Sequence, residues 1–288
     1  MVIELRPDEF EKARSAFRSE SHSLAIESIL KGLTSARVFV GSVESPGWAL
    51  TWFKGKVWFG GKPDDPACGR TVHRLLHEGY MPGLASRGWN AFELHCNIDE
   101  WRDNIEDILK DMKWTEAGRQ YLRLRASEGK RDIAGKDRPG LLPINTALLS
   151  RSELKNLGAV KEEMQSERVS VEDFLRKSFG YCALRGTEIV GWCMSEYNVG
   201  DRCEIGIATV EEYRRRGIAT LTGTAVIGHA SSRGITEIGW HCWADNEASI
   251  RTARRLGFRR ERDYAVLLVK FGSEDRRGSS LVSEKHRD

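Results

Sequence analysis

Between positions 203 and 225 the chain reads as a strand, a charged turn and a helix in direct succession. Cys203-Glu204-Ile205-Gly206-Ile207-Ala208-Thr209 alternates as a half-buried strand does. Tyr213-Arg214-Arg215-Arg216-Gly217-Ile218-Ala219 follows, and Ile218, Leu221 and Ala225 then recur at helical spacing. Gly217 lets backbone approach a ligand closely. The first N–H groups of a helix have no intrahelical partners, and with the helix dipole they favour an anion. Three arginines add charge and forked donors. That order builds a pyrophosphate cradle; the plainer reading of the turn alone is a solvated helix start.

The turn resembles the acyl-CoA signature R/Q-x-x-G-x-G/A of the GNAT N-acetyltransferase superfamily, carried here by Arg214, Gly217 and Ala219. A second motif follows in the order that family uses: Trp240-His241-Cys242-Trp243-Ala244-Asp245-Asn246, then Ser249, then Leu256-Gly257-Phe258. The stretch from about Phe179 to Phe271 also resembles the zwittermicin A resistance acetyltransferases within that superfamily. Phe179-Gly180-Tyr181-Cys182, the 204–209 strand, Asn246 and Ser249 carry that likeness.

The chain also repeats itself. Arg87-Gly88 precedes His95-Cys96 by the same gap that separates Arg233-Gly234 from His241-Cys242. From His95 to His241 is 146 positions, and from Tyr121-Leu122-Arg123-Leu124 to Tyr264-Ala265-Val266-Leu267 is 143. A period of this size points to duplication of a whole domain rather than a solenoid; chance likeness of two strand–helix–strand units is the alternative. The first half lacks the cradle, having Gly60-Gly61-Lys62-Pro63-Asp64-Asp65-Pro66 in its place. Acidic side chains and prolines without N–H donors seat a pyrophosphate poorly. Trp48, Trp52 and Trp58 there read as core rather than a ligand cage.

The expected fold class is therefore α/β (α+β): tandem GNAT-like domains, each a mixed, mostly antiparallel sheet with helices on both faces, the N-terminal one degenerate. The expected boundaries are a degenerate domain over 1–128, a polar, breaker-rich linker over 129–143, an acetyl-CoA-binding domain over 144–272 and a charged tail over 273–288. Within the second domain, Tyr181–Leu184 and Ile189–Glu196 read as a hairpin about the turn at 185–188.

Composition removes several classes. A net charge of +3 on 288 residues gives no global argument for nucleic acid. No apolar run approaches a membrane span, and the charged residues 1–11 lack a signal-peptide core. The six cysteines have neither metal nor disulfide spacing, which fits a reducing, cytoplasmic setting.

What the resemblance implies is direct transfer of an acetyl group from acetyl-CoA to a primary amine, in a monomer or homodimer. The pantetheine arm would pair with the strand edge at Ile207, Ala208 and Thr209. Arg214, Arg215, Arg216, Gly217, Ile218, Ala219 and Thr220 would hold the pyrophosphate, and Asn246 and Ser249 would meet the cofactor beside the thioester. The site must also take a proton from the ammonium group. Glu204, whose family counterpart often acts through water, and His241, a residue type suited to proton transfer near neutral pH, are the two candidates. His95 at the equivalent place in the cradle-less half argues for a structural His241. Many family members carry a tyrosine acid where this chain has Ala253; either Ser249, Tyr213 or Tyr264 protonates the departing thiolate instead, or the thiolate leaves unprotonated, or the chemistry is not the usual acetyl transfer. Arginines at 251, 254, 255, 259, 260 and 262 follow the Asn246 turn; some would reach the 3′-phosphate of CoA, while cations near a helix C-terminus are favourable in any case. The expected acceptor is a small molecule, an antibiotic or metabolite. A CoA-binding regulatory module without turnover, or an acyltransferase for a protein amine or a longer acyl donor, are the alternatives.

Overall fold

The computed structural model describes residues 2–63, 65, 67–129 and 139–272, which pack as two compact units. The first holds the described residues up to Arg119, Trp243–Asp245 and those from Asp263 on; the second holds Gln120–Cys242 and Asn246–Arg262.

The first unit opens with β1 (Ile3–Glu4), a 3-10 helical segment (Pro7–Glu20) and α1 (Leu24–Leu30). Next come β2 (Arg37–Val40), β3 (Trp48–Phe53), β4 (Lys56–Gly61), α2 (Cys68–Leu75), a π-helical turn (Leu76–Tyr80), α3 (Met81–Ala85), β5 (Ala91–His95), α4 (Ile98–Leu109) and the start of β6 (Lys113–Arg125). The β1–β4 meander is antiparallel, and β4 runs parallel to β5. One face buries Trp48, Trp52, Phe59 and Leu94 against Val72, Trp101 and Ile108 of α2 and α4. On the other face Gly60 admits the 3-10 segment, since a Cβ there would lie 2.6 Å from Phe17. Trp48, Trp52 and Trp58 are all buried, as their alternation requires.

The second unit contains β7 (Gly140–Pro143), α5 (Thr146–Leu149), α6 (Leu157–Met164), α7 (Val171–Lys177), β8 (Gly180–Arg185), β9 (Glu188–Val199) and β10 (Arg202–Thr209). The 15-residue α8 (Ile218–Ser232), β11 (Glu237–Trp243) and α9 (Glu247–Leu256) complete it. β8 and β9 form the hairpin read from sequence, turning at Gly186 with φ 59°. Cys193, Cys203 and Ile205 of β9 and β10 face α8 and α9, while Trp192 and Met194 face α6 and α7. Helices thus cover both faces of the mixed sheet, as expected of this fold class.

The contiguous division at 128 and 144 does not coincide with these units. The last strand, β12 (Arg259–Lys270), gives the first unit its residues from Asp263 on, pairing antiparallel with β5 through Val266↔His95 to Lys270↔Ala91. In return β6 enters the second unit from Gln120 and lies next to β11. Both strands are amphipathic with the same sequence pattern, so each completes either sheet equally well on local grounds. Of the expected linker, 130–138 lies outside the described residues, and its last four residues form β7. The charged tail, 273–288, lies outside them entirely.

Candidate active site

The centre of the second unit is a parting of two parallel strands. β10 and β11 pair at Arg202↔Glu237, Cys203↔Ile238 and Glu204↔Gly239, and no further. β10 continues to Thr209 paired only with β9, which leaves the other edge of Ile205–Thr209 open. An open edge with regularly spaced amide groups accepts an extended ligand as it would another strand. The Thr209 hydroxyl at its end is buried and has no hydrogen-bond partner among the described residues.

The chain then turns through Glu211–Tyr213 into α8. Arg215 and Gly217 both have left-handed backbone, φ 62° and 77°, a conformation that turns successive N–H groups into a concave anion seat. Leu221 is the first helical residue to bond back, to the Gly217 carbonyl at 2.9 Å, so the N–H groups before it point out of the helix end. A Cβ on Gly217 would meet nothing within 4 Å. Arg216 lies over the Tyr213 ring at 5.4 Å, and the Tyr213 hydroxyl donates to Glu188 at 2.7 Å. Ile218 is buried against Ala183 and Val190 and anchors the helix start.

Glu204 and His241, proposed from sequence as rivals, are partners. Nε2 of His241 lies 3.1 Å from Oε1 of Glu204, and the carboxylate is 3% exposed. A bulge between Cys203 and Ile205 sets two β9 residues, Glu196 and Tyr197, opposite Glu204 and so re-aims its neighbourhood. Tyr121, brought in by β6, stacks on the His241 ring at 4.8 Å. Burial, then Glu204, raise the pKa of the Tyr121 hydroxyl, so it stays protonated at neutral pH.

The first unit repeats this motif in a closed form. His95 lies 3.2 Å from Glu93, two residues away on the same strand, and Arg119 donates to the same carboxylate at 2.9 Å. Burial alone would raise the Glu93 carboxyl; Arg119 and the His95 hydrogen bond overcome it and hold the group well below the usual carboxylate range. Arg119 also covers Trp243. This is a compensated structural ion pair, and Arg262, at Arg119's place in the repeat, is exposed. We expect Arg119→Met to cost about 3–5 kcal/mol at neutral pH, because it leaves a buried carboxylate without its guanidinium partner and with only the His95 hydrogen bond. In the native protein the pair's contribution is present above the ordinary carboxylate pKa and fades only as pH falls toward the depressed one. In the variant the sign reverses, since acid neutralises the orphan. Urea unfolding at pH 7 and pH 5 checks this; a deficit that does not shrink at pH 5 contradicts it.

The remaining candidates divide. Asn246 caps α9, its side-chain oxygen accepting from the Ser249 N–H at 2.9 Å. The Ser249 hydroxyl accepts from the buried Trp240 indole at 3.0 Å and keeps its own proton to donate. Ala253 is fully buried between Ile250, Leu256 and Phe258, so the tyrosine that many family members carry is replaced by core packing. Tyr264 belongs to the first unit, stacked against His22 and His95. It is therefore not in the unit that holds the Arg214–Ala219 turn; its counterpart in the repeat, Tyr121, is. Arg251 pairs with Glu247 and Arg259 with Glu128 on the surface.

A narrow cleft with a volume of about 10 Å³ lies two residues along β10 from Glu204. Glu163, Glu167, Arg168, Phe174, Glu196 and Gly206 help to line it. Glu167 accepts from the Tyr197 hydroxyl, and Arg168 donates to Ser178 at 2.9 Å. Three carboxylates against one guanidinium make the cleft acidic. Sequence reasoning did not single out these residues, whose three segments meet only in the folded sheet.

A sheet split beside an arginine-glycine helix start, with a carboxylate–histidine pair at the fork, is the arrangement of an acyltransferase fold. The sequence pattern of the GNAT acetyltransferase family matches residues 14–267, and the chain belongs to that family. It is 29% identical over 197 residues to the uncharacterized N-acetyltransferase YdfB of Bacillus subtilis, spanning 68% of this chain and 72% of that one. Among solved structures it is similar to a GCN5-related N-acetyltransferase-like protein of Streptococcus suis, with TM-score 0.62, 17% identity and 91% and 99% of the two chains covered. It is also similar to a tandem GNAT protein of the clavulanic acid biosynthesis pathway, with TM-score 0.58, 11% identity and 96% and 99% covered. These two likenesses concern the fold. Among the described residues no helix is long and apolar enough to cross a membrane.

Proposed function

We propose that this enzyme transfers an acetyl group from acetyl-CoA to a primary amine of a small cationic molecule. The observation that carries the reading is the β10–β11 split, which joins an open strand edge, the Gly217 turn and the Glu204–His241 pair in one unit. Ile207, Ala208 and Thr209 would pair with the pantetheine arm, and 214–220 would hold the pyrophosphate. Bound there, acetyl-CoA supplies the electrophilic thioester.

The chain's own contribution is proton handling and orientation. Nε2 of His241 donates to Glu204, which fixes the histidine tautomer and orients the ring, as a carboxylate does in a catalytic triad. The pair takes the proton that the incoming ammonium group must lose before its lone pair can attack. The Ser249 hydroxyl, which accepts from Trp240 and keeps its own proton, is the donor for the departing thiolate. The acidic cleft by Gly206 favours a cationic acceptor over a neutral or acidic one. The likeness of 179–271 to zwittermicin-type resistance enzymes supports an antibiotic or metabolite as that acceptor. Six buried free cysteines fit a reducing, cytoplasmic setting.

Gly206 sharpens the acceptor assignment. A Cβ there would lie 2.1 Å from Oε1 of Glu196, so Gly206→Ala must push that carboxylate aside. We expect the KM for the amine to rise about tenfold, as loss of one charge-assisted hydrogen bond of about 1.5 kcal/mol would produce, with acetyl-CoA affinity unchanged. Equal effects on both ligands would place the acceptor elsewhere. The general test is thiol release from acetyl-CoA across a panel of small primary amines, with products identified by mass. Binding without turnover on any amine, protein amines included, would leave a CoA-binding module. Turnover on protein amines alone would overturn the small-molecule reading.

A further inference from the structure

The structure assigns a transition-metal site of the zinc class to the first unit, formed by His73, His77 and Asp111. The three residues each offer one ligand atom, and those atoms lie within 4.8 Å of one another. His73 and His77 sit one helical turn apart, on α2 and on the π-helical turn that continues it. Their rings are 4.2 Å apart. Single π turns inside helices concentrate at functional positions. Asp111 comes just after α4, 3.6 Å from Nε2 of His73.

The surroundings are those of ligands rather than of surface histidines. Nδ1 of His73 lies 2.9 Å from the Ile108 carbonyl. A carbonyl can only accept, so that nitrogen carries the proton and Nε2 presents its lone pair toward Asp111 and His77. A backbone carbonyl holding one ring nitrogen is the usual outer support of a metal-bound histidine. Nε2 of His77 is buried without a hydrogen-bond partner among the described residues, an arrangement that costs stability unless something binds it. Asp111 is 62% exposed, which leaves the cluster open on one side to solvent.

Two imidazoles and one carboxylate suit zinc, with water as the fourth ligand. Nitrogen donors disfavour magnesium and calcium, which take oxygen. The site would clamp the end of α2 to the end of α4, and nothing in the acetyl-transfer reading requires it.

The experiment is titration of tag-free, chelator-stripped full-length protein with zinc chloride, followed by calorimetry. Cobalt(II) absorption serves as a second readout of tetrahedral coordination. One zinc per chain is expected at micromolar concentration or below, with a rise in Tm on binding. His77→Gln and Asp111→Asn, each checked for native circular dichroism, should weaken binding more than about a hundredfold, beyond what loss of an outer-shell partner causes. Absence of saturable binding at micromolar zinc overturns the assignment. So does unchanged affinity in both folded variants, which would mean adventitious binding elsewhere.

Discussion

Gly217→Glu is expected to abolish acetyl-CoA binding while leaving the protein folded. The glycine has φ 77° and caps α8 at the proposed phosphate seat. A non-glycine residue in that conformation costs about 1–2 kcal/mol, and a Cβ would meet no neighbour within 4 Å, so the strain is bearable. The charge is not. Two like unit charges about 4 Å apart repel by about 4 kcal/mol at an effective dielectric near 20, which is roughly a thousandfold in affinity. Gly217→Ala is the control: it carries the same backbone strain without charge or reach, and its affinity should stay within a few-fold of the parent. Calorimetric titration of the three proteins decides the matter. If the glutamate variant is folded and binds acetyl-CoA like the parent, the cradle assignment is wrong. If the alanine variant fails equally, the seat depends on backbone shape and not on the absence of charge.

Glu204→Gln and His241→Ala should each lower kcat on the order of a hundredfold to ten-thousandfold, the range that positioned proton transfer contributes. The two side chains share one hydrogen bond, so they should act as a unit, and the double variant should lose little more than the worse single one. Multiplying losses would mean two independent roles. If neither variant changes turnover by more than a few-fold, another group removes the proton. Glu204→Gln preserves volume and a carbonyl acceptor for Nε2–H, so unfolding is a weak explanation for its effect. KM for acetyl-CoA should move little in either variant, because neither residue is on the open edge of β10.

The unit-1 histidine illustrates why the repeat argument cut both ways. His95 is paired and compensated by Glu93 and Arg119, and that is a structural role. His241 shares its strand position, yet its carboxylate comes from the neighbouring strand at the fork, next to the acidic cleft. Equivalent positions in a duplicated chain therefore do not imply equivalent work. The difference lies in which strand delivers the charge.

The strand, turn and helix start proposed as the cradle were legible in the sequence because every part of them is local. Alternation sets which side of β10 meets the core, Gly217 permits the left-handed turn, and the bare N–H groups of a helix end follow from hydrogen-bond geometry alone. The hairpin of β8 and β9 and the buried tryptophans were legible for the same reason. What only the tertiary structure decided is pairing between distant segments. Nothing in β6 or β12 says which sheet it completes, so Tyr121 and not Tyr264 came to rest on His241. Glu204 meets His241, and His73 and His77 meet Asp111, because parallel strands and packed helices set their register through side chains far apart in sequence. Local preference specifies what each segment becomes; the shared burial of apolar faces selects its neighbours.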